Sequence, residues 1–408
     1  MIKAIKAKYI ITSSGEPLRN SSVIVNGSFI QDIIPNSKLE KRKYKIIDLK
    51  NSILMPGFIN AHIHLELYWV NKFLEPFNSF PSWLNQIIKL KGDSDPSKIK
   101  KSVQKSLKES IESGVTTIGE IASYDGLDYE PIIKSGIRAV YFYEITNSTF
   151  SRIKGEFLTR ILSKEANSLF DLRIFPHSIY SLDTKLFKRV LAFAKKKKIK
   201  VGTHLSESID EVRYAKKLKN NLEEEVLCNM ARKPEEMKDP SSPLEYLHKI
   251  NSHGHNITLV HMNNLSKEDL VLLNKHQYPV ILCPRSNLYL TQKLPNLKFF
   301  IDYKKTGLGT DGLSSNLSID FLEEINFLYL SIKNIVKGPA EKKVLDIATI
   351  GGATALGIDN SVGSIKKNKK ADLIAFDLIN ENPYLSVVHS KKKHLKMSMI
   401  DGKIIKLR

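Results

Sequence analysis

Ile53-Leu54-Met55-Pro56-Gly57-Phe58-Ile59-Asn60-Ala61-His62-Ile63-His64 is an apolar run that ends in two histidines one residue apart. Such a run, bounded by polar residues, reads as a buried strand. The same build recurs at 115–121, 139–145, 172–176, 200–205, 257–261, 280–284 and 307–311. Amphipathic stretches such as 99–113, 184–197 and 267–275 separate most of these segments. Strand–helix alternation implies a parallel sheet with crossover helices. Eight such units over about 300 residues predict an α/β fold of the (β/α)8, TIM-like barrel kind. A doubly wound open sheet is the alternative.

Outside this centre the pattern changes. Ser22-Val23-Ile24-Val25 meets the turn Asn26-Gly27 and then 28–34, a hairpin signal. Segments 371–376, 397–400 and 403–405 repeat that look, with Asp401-Gly402 as a turn. Both termini therefore contribute to one small sheet domain.

The chain has 408 residues, 42% apolar and 26% charged, the composition of a globular protein. Its 63 basic and 43 acidic residues give a formal charge of +20. Of the basic residues 52 are Lys and 11 Arg, and the Lys clusters at 195–198, 366–370 and 391–393 lack interleaved aromatics. Dispersed Lys of this kind solvates a surface, whereas nucleic-acid grooves favour Arg. A basic, nucleic-acid-binding barrel with a structural metal is thus the disfavoured rival. Cys228 and Cys283 cannot build a disulfide framework and suit a reducing compartment. The first 14 residues lack the apolar core of a signal peptide. No run approaches the roughly 18 apolar residues of a membrane span. A cytoplasmic location is expected.

Polar residues gather at the C-terminal ends of the strands: His62, His64, His204, His261 and Asp311, with His177 just past the fourth. In a barrel those ends form one face, where catalytic groups collect. His62 and His64 share one side of a strand, within reach of a single ion. With His204 and Asp311 they make three imidazoles and a carboxylate, a set suited to one divalent metal ion, Zn(II) or Fe(II). Glu207, three residues after His204, reads as a proton shuttle above that ion. His261, a polar end to an apolar strand, needs a partner. Gly307-Leu308-Gly309-Thr310-Asp311-Gly312 spells G-x-G-x-x-G, but no acidic ribose ligand follows on a second strand, so a dinucleotide is not expected. His248, His253, His255, His276, His389 and His394 read as surface residues, and Cys283 as a buried strand residue.

These residues resemble the amidohydrolase superfamily. The likeness rests on residues 56–64, on His204-Leu205-Ser206-Glu207, on His261 and on Gly309-Thr310-Asp311-Gly312. A Gly-x-Ile…Lys-Ala-Asp-Leu signature between Gly363 and Leu373 adds the terminal region. The resemblance implies a barrel at 56–359 and a composite β-sandwich from 1–55 and 360–408. Segment 172–177 has no Lys that could bridge two metals, which is similar to the mononuclear purine and nucleoside deaminase branch. Pro176-His177-Ser178-Ile179-Tyr180-Ser181 resembles that branch's H-x-x-Y-S/T element, whose His faces substrate, and Cys283-Pro284-Arg285-Ser286-Asn287 its strand-seven element. Ser82-Trp83-Leu84 resembles its capping segment.

By this resemblance His62, His64, His204 and Asp311 hold the ion and a water, and Asp311 takes the water's proton. Glu207 protonates the ring nitrogen and the leaving amine, while His261 steadies the tetrahedral centre. Within the branch the chain looks most like the 6-aminodeoxyfutalosine deaminases of menaquinone biosynthesis, through His62 to Leu67. S-adenosylhomocysteine deaminases carry an acidic residue nine positions after the cap Trp, where Gly92 stands here, followed by Asp93. A benzoate on the substrate calls for a cation, with Arg152 and Arg285 as candidates, and Glu66 is expected to line the pocket. The alternatives are adenosine, S-adenosylhomocysteine, methylthioadenosine or guanine deamination, or triazine-type chlorohydrolysis. The expected partner is a small aminopurine nucleoside-like molecule, with a second copy in a homodimer at most, and neither nucleic acid nor membrane.

Overall fold

The computed structural model describes residues 2–40, 42–92, 94–147, 168–229, 241–252 and 254–408. In it the run 53–64 is two strands rather than one. The N-terminal strands are β1 Lys3–Ile10, β2 Leu18–Asn26, β3 Phe29–Pro35, β4 Lys45–Asp48 and β5 Ser52–Pro56. A single residue later β6 Phe58–Ile63 begins, followed by β7 Val115–Ala122, β8 Arg138–Ile145 and β9 Phe170–Pro176. Next come β10 Gly202–Leu205, β11 Thr258–His261, β12 Val280–Leu282 and β13 Thr306–Leu308, and finally β14 Leu373–Asp377, β15 Leu395–Ile400 and β16 Lys403–Leu407.

Pro56 and Gly57 make the break. Proline offers no amide to continue the ladder, and the Gly57 amide turns to the Asp372 carbonyl at 2.9 Å. A Cβ at Gly57 would lie 2.0 Å from Thr116 Oγ1, so only glycine lets the chain pass from one sheet to the other here. β5 pairs parallel with β1 and antiparallel with β14. It thereby fuses both chain ends into one eight-stranded sheet in the order β16-β15-β14-β5-β1-β2-β3, with β4 also on β1. Where a composite β-sandwich is expected, the strands of the two termini form this one hydrogen-bonded sheet, joined through the shared strand β5. Ile5, Val23, Leu54, Leu373 and Met397 pack in its own apolar cluster.

The eight central strands keep the expected order and are all parallel, but their ladder does not close. β6-β7-β8-β9 and β10-β11-β12-β13 form two four-stranded sheets. One seam carries a single bridge between Ile174 and Val201. At the other, side chains do what the backbone ladder does not: Asn60 Nδ2 donates to Thr310 Oγ1 at 2.8 Å and the Thr310 amide donates to Asn60 Oδ1 at 3.0 Å. The Asp311 amide also reaches the His62 carbonyl at 3.1 Å. Gly309 is there for this approach, since a Cβ would sit 2.7 Å from that of His62. The glycine-rich stretch is thus a packing device between the first and last strands.

Ile59, Ala61, Val140, Phe142, Phe175, Val260 and Cys283 fill the space between the sheets. Helices cover the outside. α1 Phe80–Gly92 lies near the strand ends, and α2 Pro96–Glu112 buries Ile99, Val103 and Leu107 at i, i+4 and i+8. Asp95 caps α2 by accepting from the Ser97 amide at 2.9 Å. Lys195 to Lys198 are exposed, the solvated face expected of them. No helix of the described residues is long and apolar enough to cross a membrane.

A buried fork joins the terminal sheet to β8: Arg138 Nε and Nη2 donate to Asp372 at 2.7 and 3.1 Å. Asp372 belongs to the Lys-Ala-Asp-Leu signature, which gives that signature a mechanical reason. Two changes test this picture by thermal melting. Gly57→Ala should cost about 1–3 kcal/mol through overpacking, whereas Gly92→Ala, with open space around it, should leave the melting temperature unchanged. Equal melting of the two variants would contradict the role given to the Pro56-Gly57 break.

Candidate active site

The strand ends bring the six predicted polar residues to one place. His62 is the penultimate residue of β6 with His64 just beyond its end, His204 lies in β10, His261 ends β11, and Asp311 follows β13. The donor atoms of His62, His64 and His204 lie within 4.8 Å of one another, as do those of His62, His261 and Asp311. His62 belongs to both groups and is fully buried. Its Nε2 is 3.5 Å from Asp311 Oδ1, and that of His64 is 3.6 Å from the same oxygen.

Both ring nitrogens of His62 and Nδ1 of His64 are buried with no hydrogen-bond partner among the described residues. Leaving such groups unsatisfied costs free energy, and a cation at the centre of the cluster removes that cost. His204 places Nδ1 at 3.1 Å from the His177 carbonyl. A proton donated there leaves Nε2 as a lone-pair donor, the arrangement usual for a metal-binding histidine. Burial pulls His64 and His261 down to about 3, against the pull of Asp311, and drives His204 well below the usual histidine range. Neutral imidazoles are the form that binds a cation. Asp311 Oδ2 accepts from Ser286 Oγ at 2.7 Å and Oδ1 from the Gly312 amide at 2.8 Å. Burial works to raise its carboxyl, but the neighbouring imidazoles, His62 foremost, hold it well below the ordinary range. The residues therefore fit one divalent ion.

The backbone is strained at these positions. Ser206, His261 and Asp311 have φ of 55°, 77° and 60°, values that L-residues seldom adopt. Such conformations persist where surrounding structure enforces them, and they cluster at functional sites.

Glu207 is buried, with Oε1 3.4 Å from His261 Nε2. Burial pushes its carboxyl well up, and the charges of Asp311 and Glu211 push the same way. The Glu207 amide donates to Glu211 Oε2 at 2.9 Å, which pins the loop after β10. His261 Nδ1 lies 3.3 Å from Asn287 Nδ2. His177 is half-buried, its ring 4.8 Å from that of His204 and its Nδ1 3.1 Å from Ser178 and Ser181 hydroxyls.

Trp83, in α1, donates Nε1 to the Ser314 carbonyl at 2.8 Å, tying the helix to the loop after Asp311. A cavity of about 310 Å³ opens beside Ser208, lined by Phe77, Phe80, Asp210, Tyr289 and Thr291.

Two expectations change. Glu66 is fully buried, and its carboxylate accepts from the Ser123 amide and hydroxyl and the Tyr124 amide at 2.9, 2.8 and 3.2 Å. It anchors the loop after β7 rather than lining the pocket. Arg285 is held by Glu323 at 2.9 Å and Glu324 at 3.9 Å, with Nη1 on the Ser318 carbonyl. Those partners neutralise it, so it is no free cation for a substrate carboxylate. Arg152 lies outside the described residues, as do Asp93 and His253. His248, His255 and His394 are half-buried and His276 and His389 exposed.

Sequence reading missed Glu144 and Lys91, which meet at 3.4 Å near the strand ends. The β8 segment ends in apolar Ile145, so no polar terminus advertised Glu144. An alternation count along β8 would have found it.

Residues 53–405 match the amidohydrolase family. The aminodeoxyfutalosine deaminase of a Nitratiruptor species is 31% identical over 358 residues, with 84% of this chain and 85% of that one covered. The 5-methylthioadenosine/S-adenosylhomocysteine deaminase of Saccharophagus degradans is 25% identical over 407 residues, with 96% and 86% covered. The solved structure of Helicobacter pylori aminofutalosine deaminase in complex with methylthio-coformycin has the same fold, with a TM-score of 0.84 at 24% identity over 99% of this chain and 100% of that one. A match over most of its length, with a relative above 30% identity, makes the chain a member of the amidohydrolase family.

Proposed function

We propose that the chain is a metal-dependent hydrolytic deaminase of aminopurine nucleoside-like substrates, and that it converts 6-aminodeoxyfutalosine to futalosine and ammonia in menaquinone biosynthesis. The observation that carries the chemistry is the meeting of His62, His64, His204 and Asp311 with Glu207 facing His261 across 3.4 Å. The substrate is supported by the 31% identity to an aminodeoxyfutalosine deaminase. The 25% identity to a 5-methylthioadenosine/S-adenosylhomocysteine deaminase supports those nucleosides as the second reading.

A divalent ion held by His62, His64, His204 and Asp311, Zn(II) or Fe(II), would supply Lewis-acid activation of a water. The remaining work falls to the side chains. Asp311, fixed by Ser286 and the Gly312 amide, accepts a proton from the water. Glu207, kept protonated by burial, gives its proton to the ring nitrogen beside the reacting carbon, takes up the water's second proton and passes it to the departing amine, and the proton on Asp311 then returns to Glu207. His261 donates toward the negative charge that develops on oxygen. His177, on the neighbouring strand end, faces the base. The water oxygen becomes the ring carbonyl, one proton stays on the ring nitrogen, and ammonia leaves.

Ammonia release on 6-aminodeoxyfutalosine, adenosine, S-adenosylhomocysteine, methylthioadenosine and guanine tests the assignment. The first should be preferred, and Glu207→Gln should lower kcat by about 10²–10⁴-fold. Preference for another purine would replace the substrate while keeping the chemistry; no ammonia from any would remove the deaminase reading. Ser286→Ala, which frees Asp311 Oδ2, should lower activity by about 10–100-fold without unfolding the chain, and unchanged kcat/KM would contradict the part given to Asp311.

A further inference from the structure

Glu144 has no part in the chemistry above, yet it stands near the C-terminal end of β8, on the face where the candidate site lies. Alternation along β8 turns Val140, Phe142 and Glu144 to one side, and the first two lie in the apolar cluster between the barrel sheets. Glu144 is therefore the polar cap of that column at the C-terminal end. It stands in register with Phe175, whose ring centroid is 4.7 Å from that of His204 and 6.3 Å from that of His62. His177 follows just past the end of β9.

Lys91 comes to Glu144 from α1, Nζ to Oε2 at 3.4 Å, with Nζ also 5.4 Å from the Tyr124 ring centroid. Trp83, two turns earlier on α1, is bonded to the loop after Asp311. The helix thus straps the mouth, with Trp83 at one end and Lys91 at the other. The Lys91 side chain keeps 26% of its exposure and that of Glu144 7%. Oε1 of Glu144 makes no hydrogen bond among the described residues. Burial works to raise the Glu144 carboxyl, but Lys91, with His177 and His64 adding to it, holds the group below the usual carboxylate range. An ionised carboxylate with a vacant oxygen, beside an ammonium and at the rim of a base-binding site, matches two adjacent hydroxyls: each donates to one carboxylate oxygen, and the ammonium donates to a hydroxyl oxygen.

We propose that Glu144, oriented by Lys91, binds the vicinal hydroxyls of a ribosyl group on the substrate, making the pair a specificity element for ribonucleosides. The inference rests on the deaminase reading. It is tested with the aminopurine ribonucleoside turned over best by the wild-type chain and its 2′,3′-dideoxy counterpart. Wild type should favour the ribonucleoside by about 10–100-fold in kcat/KM. Glu144→Gln should raise KM for the ribonucleoside about 10-fold or more, with kcat within about threefold, and leave the dideoxy compound unaffected. Lys91→Met should act in the same direction. A pair that is only structural would depress both substrates alike and lower the melting temperature. That result, or a wild type indifferent to the hydroxyls, overturns the inference while deamination stands. If Glu144→Gln fails to fold, Lys91→Met decides on the same two substrates. Failure of wild type on every aminopurine overturns the deaminase reading and this inference with it.

Discussion

Three buried ring nitrogens with no hydrogen-bond partner, two on His62 and one on His64, are the cost around which the rest of the molecule is arranged. A buried unsatisfied polar group commonly costs about 1–3 kcal/mol, and further imidazoles crowd the same point. Nothing apolar nearby relieves that cost. A divalent ion would, and the proposed ion gives a reason for imidazoles gathered where ordinary packing would separate them.

Holding these groups in place is a problem of rigidity, and the strands solve it. Each donor sits at or just beyond the C-terminal end of a strand whose other residues are locked in the core, so its direction is set by pleat and register. The β6–β13 seam carries the tightest of these constraints. Gly309 lets β13 close on His62, and the Asn60–Thr310 pair fixes the register where the backbone ladder is interrupted. Asp311 then turns into the cluster with a left-handed backbone, anchored by Ser286 and Gly312. Around the mouth, Trp83 and Lys91 pin α1 at two points, placing one wall of the site on a helix rather than on a loop.

Much of this was legible in the sequence because apolar strands and terminal histidines leave a local signal. The order of the eight central strands, the placement of His62, His64, His204, His261 and Asp311 at or near strand ends, and the closeness of Glu207 to His204 all follow from local patterns repeated along the chain. What was not legible depends on distant contacts. The splitting of 53–64 at Pro56-Gly57 needs Thr116 to explain it. The single terminal sheet needs β5 to pair on both edges. The burial of Glu66 under Ser123 and the capture of Arg285 by Glu323 arise from side chains far along the chain. Charge alone says nothing of whether a partner will neutralise it, which is why Arg285 was expected to be free for a substrate carboxylate, whereas the structure holds it on Glu323 and pairs Lys91 with Glu144.

The central claim is that these imidazoles and Asp311 exist to hold an ion. Metal content by mass spectrometry tests it most directly, on the chain purified without chelator and on His62→Ala with its fold checked by circular dichroism. One divalent ion per wild-type chain, lost in the folded variant, is the predicted result. A wild-type chain with no bound ion, or a variant that retains its full complement, would contradict the account.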